Sequence, residues 1–322
     1  MPAHKSPFSQ QPTTNLADFL SQSSPLQSKN DLLEIRSPQK QMNNYQKVLR
    51  FYGVHTEQQG DEFVGDCPFA PCKQEGKTNK FSMHTQTGQW RCFVCGRKGN
   101  NFGFIRDLHQ YYFDATTHHD RERLIHLRGG AIDMWLLEEM QLALNPATNE
   151  WLLPAWSTDG VAEKGISNLY TWRKSYDEKT LKSYMSILSG PGFKQVPYGI
   201  HRLRSGTNRP LWVLEGHWDY LAFGSLLHRL GDTARHDYIA SPGVDAFPKQ
   251  YANVFNGREV VICYDNDVAG RNGVASLLQL MAAGGVYPQS ISVLNWPVGL
   301  PERFDMSDAI VKLPKEYWKA NK

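Results

Sequence analysis

Two segments of this 322-residue chain share an order of features that constrains the fold more than anything else in the sequence. Each starts as a short apolar run, passes an acidic residue and a glycine, and continues as a helix-compatible stretch. The two are LWVLEGHWDYLAFGSLLHRL from Leu211 and EVVICYDNDVAGRNGVASLLQLMAAGG from Glu259. Strands that alternate with helices are typical of a mostly parallel sheet flanked by helices. We therefore predict an α/β fold for the C-terminal part.

Carboxylates stand where both apolar runs end. Glu215 follows the first run, and Asp265 and Asp267 follow the second. Residues two apart on an extended chain point the same way, and open α/β sheets bind ligands at the carboxyl ends of their strands. Gathered carboxylates repel one another unless a cation joins them, and Mg²⁺ accepts one or two carboxylates while it bridges to substrate phosphates. We predict that the three bind Mg²⁺ or Mn²⁺, with helix capping as the alternative.

Three further acids could join this set. Asp305 and Asp308 in RFDMSDAI follow a predicted strand, SISVLNWP, and are predicted as outlying magnesium ligands. Asp219 lies about one helical turn after Glu215 and is interpreted equally as a site residue or as a charge at a helix N-terminus. Two divalent ions at such an edge could clamp the attacking hydroxyl and the leaving pyrophosphate of a nucleotidyl transfer. Glu215 has a second interpretation, as a general base.

Four of the five cysteines form two close pairs, Cys67-x4-Cys72 and Cys92-x2-Cys95, which nineteen residues separate. Four thiolates at this spacing are typical of a closed, structural zinc site, and a small module with few apolar residues needs such a crosslink. The alternatives are two disulfides, which a cytosolic redox potential disfavours, and a redox-active pair, which leaves the other pair unexplained. Cys263 lies inside an apolar run and is predicted to be a small buried residue.

The net charge of +3 is concentrated in one segment. Residues 163 to 209 contain nine Lys or Arg and three Asp or Glu, so the rest of the chain is net negative. Six aromatic residues are interleaved with these charges, which is the mixture expected where phosphates and stacked bases bind. A solvated basic face over a half-buried sheet is the alternative.

Composition sets outer limits on the class of protein. The chain is 40% hydrophobic and 21% charged, as ordinary globular proteins are. No apolar run is long enough to span a bilayer, and no signal peptide is evident, so we expect a soluble, intracellular protein with no membrane partner. Residues 1 to 43 are rich in Ser, Gln, Pro and Asn and are predicted to be a flexible tail.

These observations predict five parts. They are the tail (1 to 43), a zinc-binding ribbon of small antiparallel strands (44 to 115), a helical linker (116 to 150), a basic segment (151 to 208) and an α/β domain (209 to 322). Within the basic segment, STDG is predicted to be a hairpin turn between two strands of alternating apolar residues.

At this point the motifs resemble a known family. EGHWD followed by YDNDVAG resembles the Toprim signature, and CPFAPC with FSMHTQTGQWRCFVCGRKGN resembles the zinc ribbon of bacterial and phage primases. Together, over roughly residues 45 to 310, they resemble the DnaG-type primases, especially the branch of phage and mitochondrial primase-helicases. The family's first motif usually has a histidine where Ala70 stands here, so Cys72 is implied as the ligand.

The resemblance assigns roles to single positions. Glu215, Asp265 and Asp267 match the metal-binding acids of the family, and Asp305 matches a further acidic element more loosely. By the same similarity Arg173, Lys182 and Lys194 would contact template or nucleotide phosphates. Beside the second cysteine pair, the predicted base readers are Gln89, Trp90 and Arg91, although Trp90 is interpreted equally as a packing residue.

The implied function is a DNA primase that makes short RNA primers from ribonucleoside triphosphates on a single-stranded DNA template, in the cytoplasm of a bacterial or phage-infected cell. Its relatives continue into a helicase motor, so a separate replicative helicase is expected as a partner. Two other functions remain open from the residues: a Toprim nuclease, which needs only the metal-binding acids and a basic surface, and a non-catalytic DNA-binding module.

Overall fold

The computed structural model describes residues 44 to 69, 78 to 156, 165 to 177, 182 to 204 and 207 to 313, with only the backbone at 176, 177, 182 and 183. The predicted tail, Cys72 and the hairpin turn STDG lie outside these residues.

The first unit is a five-stranded antiparallel sheet whose strands follow in chain order. Its buried core is aromatic, with Trp90 close to Phe69, Phe81 and Phe104. Aromatic side chains bury much area each, which suits a sheet of such short strands. The elements are helix α1 (Asn44–Phe51) and strands β1 (Thr56–Gln59), β2 (Glu62–Gly65), β3 (Phe81–His84), β4 (Trp90–Cys92) and β5 (Lys98–Gly99).

Three helices follow: α2 (Asn101–Ala115), α3 (His118–Leu127) and α4 (Met134–Glu139). Helix α3 begins at a capping box between Thr117 and Asp120. The prediction of a helical linker to residue 150 is wrong at its end. There the chain forms β6 (Ala143–Asn145), because the apolar Ala143 and the buried Asn145 pair with the next strand.

A four-stranded antiparallel sheet in the order β6-β7-β8-β9 forms the second unit. Strand β7 pairs with β8 through Trp151 and Trp172, and β8 pairs along its length with β9. The pairing of the apolar runs on either side of STDG confirms the predicted strand pair. The remaining strands are β7 (Glu150–Ala155), β8 (Asn168–Asp177) and β9 (Lys182–Leu188).

The third unit confirms the predicted parallel sheet. All three strand pairs in the order β11-β10-β12-β13 are parallel. Helices connect successive strands, and β10 is buried along its whole length. The elements are β10 (Leu211–Leu214), α5 (His217–Leu230), β11 (Asp237–Ala240), β12 (Glu259–Cys263), α6 (Val268–Ala283), β13 (Ser290–Val293) and α7 (Met306–Lys312), with short 3-10 helices at Ile200–Arg202 and Lys249–Phe255.

The core of the first sheet continues into the second. Leu152 and Leu169 of the second sheet belong to the same buried cluster as the aromatic residues of the first. The Tyr52 hydroxyl donates to the Leu169 carbonyl at 2.7 Å, and the Asn145 amide donates to the Tyr52 carbonyl at 2.9 Å. Among the described residues no helix is long and apolar enough to cross a membrane.

Candidate metal centres

Three cysteines meet at one edge of the first sheet. Cys67 follows β2, Cys92 ends β4, and Cys95 lies in the turn after β4. Their sulfur atoms lie within 4.8 Å of one another, and Cys67 Sγ is 4.0 Å from Cys95 Sγ. Tetrahedral zinc with Zn–S bonds of about 2.3 Å places its sulfurs roughly 3.8 Å apart. The three thiols therefore fit three corners of a zinc site.

The turn after Cys92 contains a glycine whose backbone conformation other residues rarely adopt. Gly96 has a φ of 71°, the left-handed region that glycine favours. The Gly96 amide donates to the Cys92 carbonyl, and the Val94 amide lies 3.4 Å from Cys92 Sγ. Amides directed at a sulfur stabilise its thiolate form, which is the form that binds metal. Cys72, the fourth predicted ligand, lies outside the described residues.

The three predicted base readers, Gln89, Trp90 and Arg91, differ in their exposure to solvent. Trp90 is 3% exposed, and its indole nitrogen donates to the Asn100 carbonyl at 3.0 Å. Trp90 as a base reader is therefore corrected to a packing residue, because its ring faces are covered by the aromatic core. Gln89 and Arg91 are exposed, and the Arg91 guanidinium lies 4.3 Å over the ring of Phe93, which is 62% exposed. Sequence reasoning missed Phe93.

The carboxylates meet at the carboxyl edge of the parallel sheet, which we call the acid edge: Glu215, Asp219, Asp265, Asp267 and Asp305. Glu215 follows β10, and its Oε2 accepts the backbone amide of Asp265 at 3.0 Å. The two strands are in parallel register, with Leu214 opposite Cys263, so Glu215 follows β10 directly and Asp265 lies two residues past the end of β12. Gly270 lets the first turn of α6 approach, since a Cβ there would collide with the Asp265 carbonyl.

A loop brings Asp305 to the same edge. The Asn266 amide donates to the Phe304 carbonyl at 3.0 Å, and the Arg303 amide donates back to the Asn266 carbonyl at 3.1 Å. Phe304 is buried against Trp296, which fixes the loop onto the sheet. The sequence shows the order of these acids along the chain. This pair of backbone bonds explains how Asp305 reaches the edge that Glu215 and Asp265 form.

Helix capping and a place in the acid edge are compatible for two of the acids. Asp267 Oδ1 accepts the Gly270 amide at 2.7 Å as the N-cap of α6. Asp305 Oδ1 accepts the Asp308 amide at 2.7 Å as the N-cap of α7. Asp308 itself forms an ion pair with Lys312 at 2.6 Å. Capping uses one oxygen of each carboxylate and leaves the other for a further partner.

The acids raise one another's pKa. Burial and then the charges of Asp219 and Glu215 raise the pKa of Asp265 well above its usual range. Burial, followed by the charges of Asp305 and Glu215, raises the pKa of Asp219 in the same direction. Burial is also the main cause of the raised pKa values of Glu215 and Asp305. Because these like charges lie close together at a partly buried edge, a bound cation would reduce their mutual repulsion.

Two residues of this edge were underrated or missed in the sequence. Asp219 is buried, and its Oδ1 has no hydrogen-bond partner among the described residues. Arg128, at the C-terminal end of α3, lies 4.9 Å over the Trp218 ring and 3.4 Å from the Ser307 hydroxyl. The positive charge of Arg128 offsets part of the rise in the pKa values of Asp219 and Asp305. No signal in the sequence connects Arg128 to acids that lie some ninety residues or more away.

Comparison with known families matches both sites. Residues 34 to 126 match the model of the CHC2 zinc finger of DnaG, and residues 212 to 309 match the Toprim-like model. The three cysteines lie in the first match, and the acid edge lies in the second. This pair of domain matches supports a DnaG-type primase. We call the first unit the zinc ribbon and the third the Toprim domain.

Solved structures with detectable similarity are distant. The primase fragment of the bacteriophage T7 primase-helicase protein is 14% identical, with 78% of this chain and 97% of that chain covered and a TM-score of 0.44. A chain of the bacteriophage T7 lagging-strand DNA polymerase assembly, with primase domains of two gp4 subunits bound to an RNA/DNA hybrid and dTTP, is 14% identical, with 58% and 87% covered and a TM-score of 0.41. No curated protein sequence matches significantly.

The Toprim domain fits a divalent cation by its donor set. Hard oxygen ligands with raised pKa values and one unpartnered buried oxygen, on Asp219, suit Mg²⁺. Among the described residues, the three cysteines are the one group of three or more whose ligand atoms all lie within 4.8 Å of one another. The carboxylates are spaced more widely, which suits an ion that keeps several of its waters.

The predicted phosphate contacts have different environments. Arg173 is corrected to a structural residue, because its guanidinium donates to Glu150 at 2.8 Å and to the Phe51 carbonyl at 2.7 Å and covers the Phe51 ring. It thereby ties β8 to helix α1. Lys194 is exposed in the loop after β9. Lys182 begins β9, and its side chain lies outside the described part.

Proposed function

We propose that this protein is a DNA primase that condenses ribonucleoside triphosphates into short RNA primers on single-stranded DNA during DNA replication. The observation that carries the proposal is the acid edge, in which five carboxylates from three segments of the chain (215 to 219, 265 to 267, and 305) meet beside the buried ends of β10 and β12. The presence of a zinc ribbon in the same chain distinguishes it from a Toprim domain alone.

In this mechanism Glu215 and Asp265 would hold Mg²⁺ or Mn²⁺, with Asp267, Asp219 and Asp305 around them and Asp308 as an outlying ligand. A bound cation would supply charge stabilisation for the attacking hydroxyl and the leaving pyrophosphate. The protein contributes fixed positions: the Asp265 amide donates to Glu215, and the backbone bonds of Asn266 with Arg303 and Phe304 hold Asp305. Because the edge is preorganised, catalysis comes mainly from positioning and electrostatics.

We further propose that the exposed face of the zinc ribbon binds the template. Arg91 lies opposite Lys98 on adjacent strands, and Gln89 and Phe93 flank Arg91 in sequence. Two cations on one strand pair can bind phosphates, and the exposed Phe93 ring offers a face on which a base can stack. Lys194 and Lys182 would add phosphate contacts from the second sheet, and a replicative helicase would be a further partner.

A priming assay tests the proposal. The full-length protein is incubated with Mg²⁺, four ribonucleotides, one of them labelled, and single-stranded templates of varied sequence. We expect template-dependent RNA oligomers from the wild type. Asp265→Ala should reduce the product at least about a thousandfold, since it removes a carboxylate from the reacting edge. The matched control is Asp114→Asn, an exposed acid on α2, which should prime normally.

Two results would contradict the proposal. Undiminished product from folded Asp265→Ala would remove Asp265 from the reaction. Shortening of a labelled DNA template in Mg²⁺, with no RNA formed, would assign the acid edge to a nuclease instead.

A further inference from the structure

A second polar site lies at the other end of the parallel sheet. A cavity of about 280 Å³ opens beside the amino ends of β10 and β11, whereas the acids follow the carboxyl ends. Four-residue strands separate the two ends by roughly 13 Å. No member of the acid edge lines this cavity. Three arginines do line it: Arg202, Arg204 and Arg209.

Two of these arginines are not paired with an acid within the described part of the chain. Arg204 is exposed and Arg209 is half-buried, and neither guanidinium has an ion pair or a side-chain hydrogen bond within the part of the chain that the structure describes. The backbone carbonyl of Arg204 is held by Arg258 at 3.1 Å, so the loop that carries the Arg204 side chain is fixed at the rim. Arg202 shares its charge with the exposed Glu139 at 3.6 Å.

The acid that lines the cavity is already neutralised. Asp237 forms a buried ion pair with Arg258 and also accepts from the Thr207 hydroxyl at 3.3 Å. Asp237 therefore offers little charge to Arg204 or Arg209. With three arginines, one aspartate and neutral histidines, the lining carries a net charge of +2, which favours an anionic ligand.

Neutral groups of the lining are hydrogen-bond donors as well. His236 Nδ1 accepts the Trp212 indole N–H at 3.2 Å, so the neutral ring carries its proton on Nε2. The Trp135 ring packs against His228, and its indole nitrogen is buried with no acceptor among the described residues. A ligand for this cavity must bring several acceptors together with negative charge.

We propose that this cavity is a phosphate-binding site, with Arg204 and Arg209 as the main contacts and Trp135 and His236 as neutral donors. Guanidinium groups match phosphate oxygens in geometry and charge, and phosphate oxygens are acceptors only. The volume is at the lower end of the range for small-molecule pockets, which suits a diphosphate group better than a large coenzyme. The same chemistry could come from a free diphosphate or from a nucleic-acid backbone. The site does not depend on the proposed primase activity.

Calorimetric titration of the full-length protein tests this inference. Inorganic pyrophosphate and a short single-stranded DNA are titrated separately in magnesium-free buffer, so that binding through a metal at the acid edge does not contribute. We expect pyrophosphate to bind the wild type and to lose at least about tenfold in affinity in the double variant Arg204→Ala, Arg209→Ala. Arg235→Ala is the matched control, because Arg235 lies in the same turn as His236, pairs with Asp232 and does not line the cavity.

The result distinguishes the two phosphate sources. A loss confined to pyrophosphate identifies a free diphosphate as the ligand, and a loss for DNA alone identifies the nucleic-acid backbone. The inference is overturned if neither ligand binds the wild type, or if the double variant and Arg235→Ala bind both equally well. Trp135→Phe, which keeps the ring and removes its N–H, should weaken binding severalfold. Circular dichroism should show that every variant is folded.

Discussion

The two metal centres of this protein are assembled in opposite ways. The zinc ribbon takes its ligands from two short turns, and Cys92 and Cys95 are placed by a single glycine-containing knuckle. The acid edge takes its carboxylates from the ends of two strands, the first turn of α5, the start of α6 and a loop before α7. A local site can be recognised from spacing, whereas a dispersed site depends on the whole sheet.

Their energetics differ as well. Thiolates around zinc contribute directly to the stability of a small module. The carboxylates repel one another and reduce the stability of the metal-free Toprim domain, as the raised pKa values of Asp265 and Asp219 indicate. We therefore expect zinc to stabilise the fold of the zinc ribbon, and a divalent cation to relieve the repulsion between the carboxylates of the Toprim domain.

The largest expected effect is the loss of the zinc ribbon. Cys92→Ser should release the metal and unfold residues 44 to 99, because a structural zinc site contributes on the order of 10 kcal/mol to the folding of such modules. Elemental analysis and proteolysis check this. Cys263→Ala, in the buried core of the Toprim domain, is the control and should keep its zinc. Unchanged zinc in Cys92→Ser would remove Cys92 from the ligand set.

A second comparison lies within the zinc ribbon. Trp90→Ala should destabilise it by about 3 to 5 kcal/mol, since a large buried aromatic ring is removed. Arg91→Ala should leave its melting temperature unchanged and weaken single-stranded DNA binding by about 1 kcal/mol, the cost of one phosphate or stacking contact. Thermal melts and fluorescence anisotropy separate the two. Equal loss of stability in both variants would contradict the division between core and surface.

At the acid edge, a conservative substitution should stabilise the metal-free protein rather than destabilise it. Asp219→Asn keeps the volume and removes a buried charge, so in magnesium-free buffer at pH 8 it should stabilise the protein by about 1 kcal/mol or more. The same variant should be impaired in priming. A destabilised Asp219→Asn would mean that the carboxylate is needed for packing rather than for a cation.

The smallest effect is a dependence of stability on pH. An unfolded aspartate ionises near pH 4, whereas the folded, metal-free acid edge keeps its protons to higher pH because burial and like charges raise the pKa of Asp265 and Asp219. The folded state then binds more protons than the unfolded state, so stability should fall as pH rises above about 4. Melting temperatures between pH 6 and 8.5 should decrease by a few degrees without Mg²⁺, and added Mg²⁺ should remove most of the slope.

Much of the fold followed from the sequence, because the signals are local. Alternating strand and helix patterns predicted the parallel sheet, and Glu215 and Asp265 lie one and two residues past the ends of the adjacent strands β10 and β12. The helical linker was wrong where β6 begins, since three residues carry too little periodicity to distinguish a strand from the end of a helix.

The sequence by itself determined the ligand chemistry: thiolates at zinc-binding spacing, and carboxylates at the ends of apolar runs. Only the tertiary structure decided which groups meet. The tertiary structure buried Trp90 in an aromatic core and paired Arg173 with Glu150. It also brought Arg128 and Asp305 to the acid edge. At the other end of the sheet it placed Arg204 and Arg209 around a cavity. Spacing along the chain fixes neighbours within a turn, whereas contacts between distant segments depend on how the sheets and helices pack.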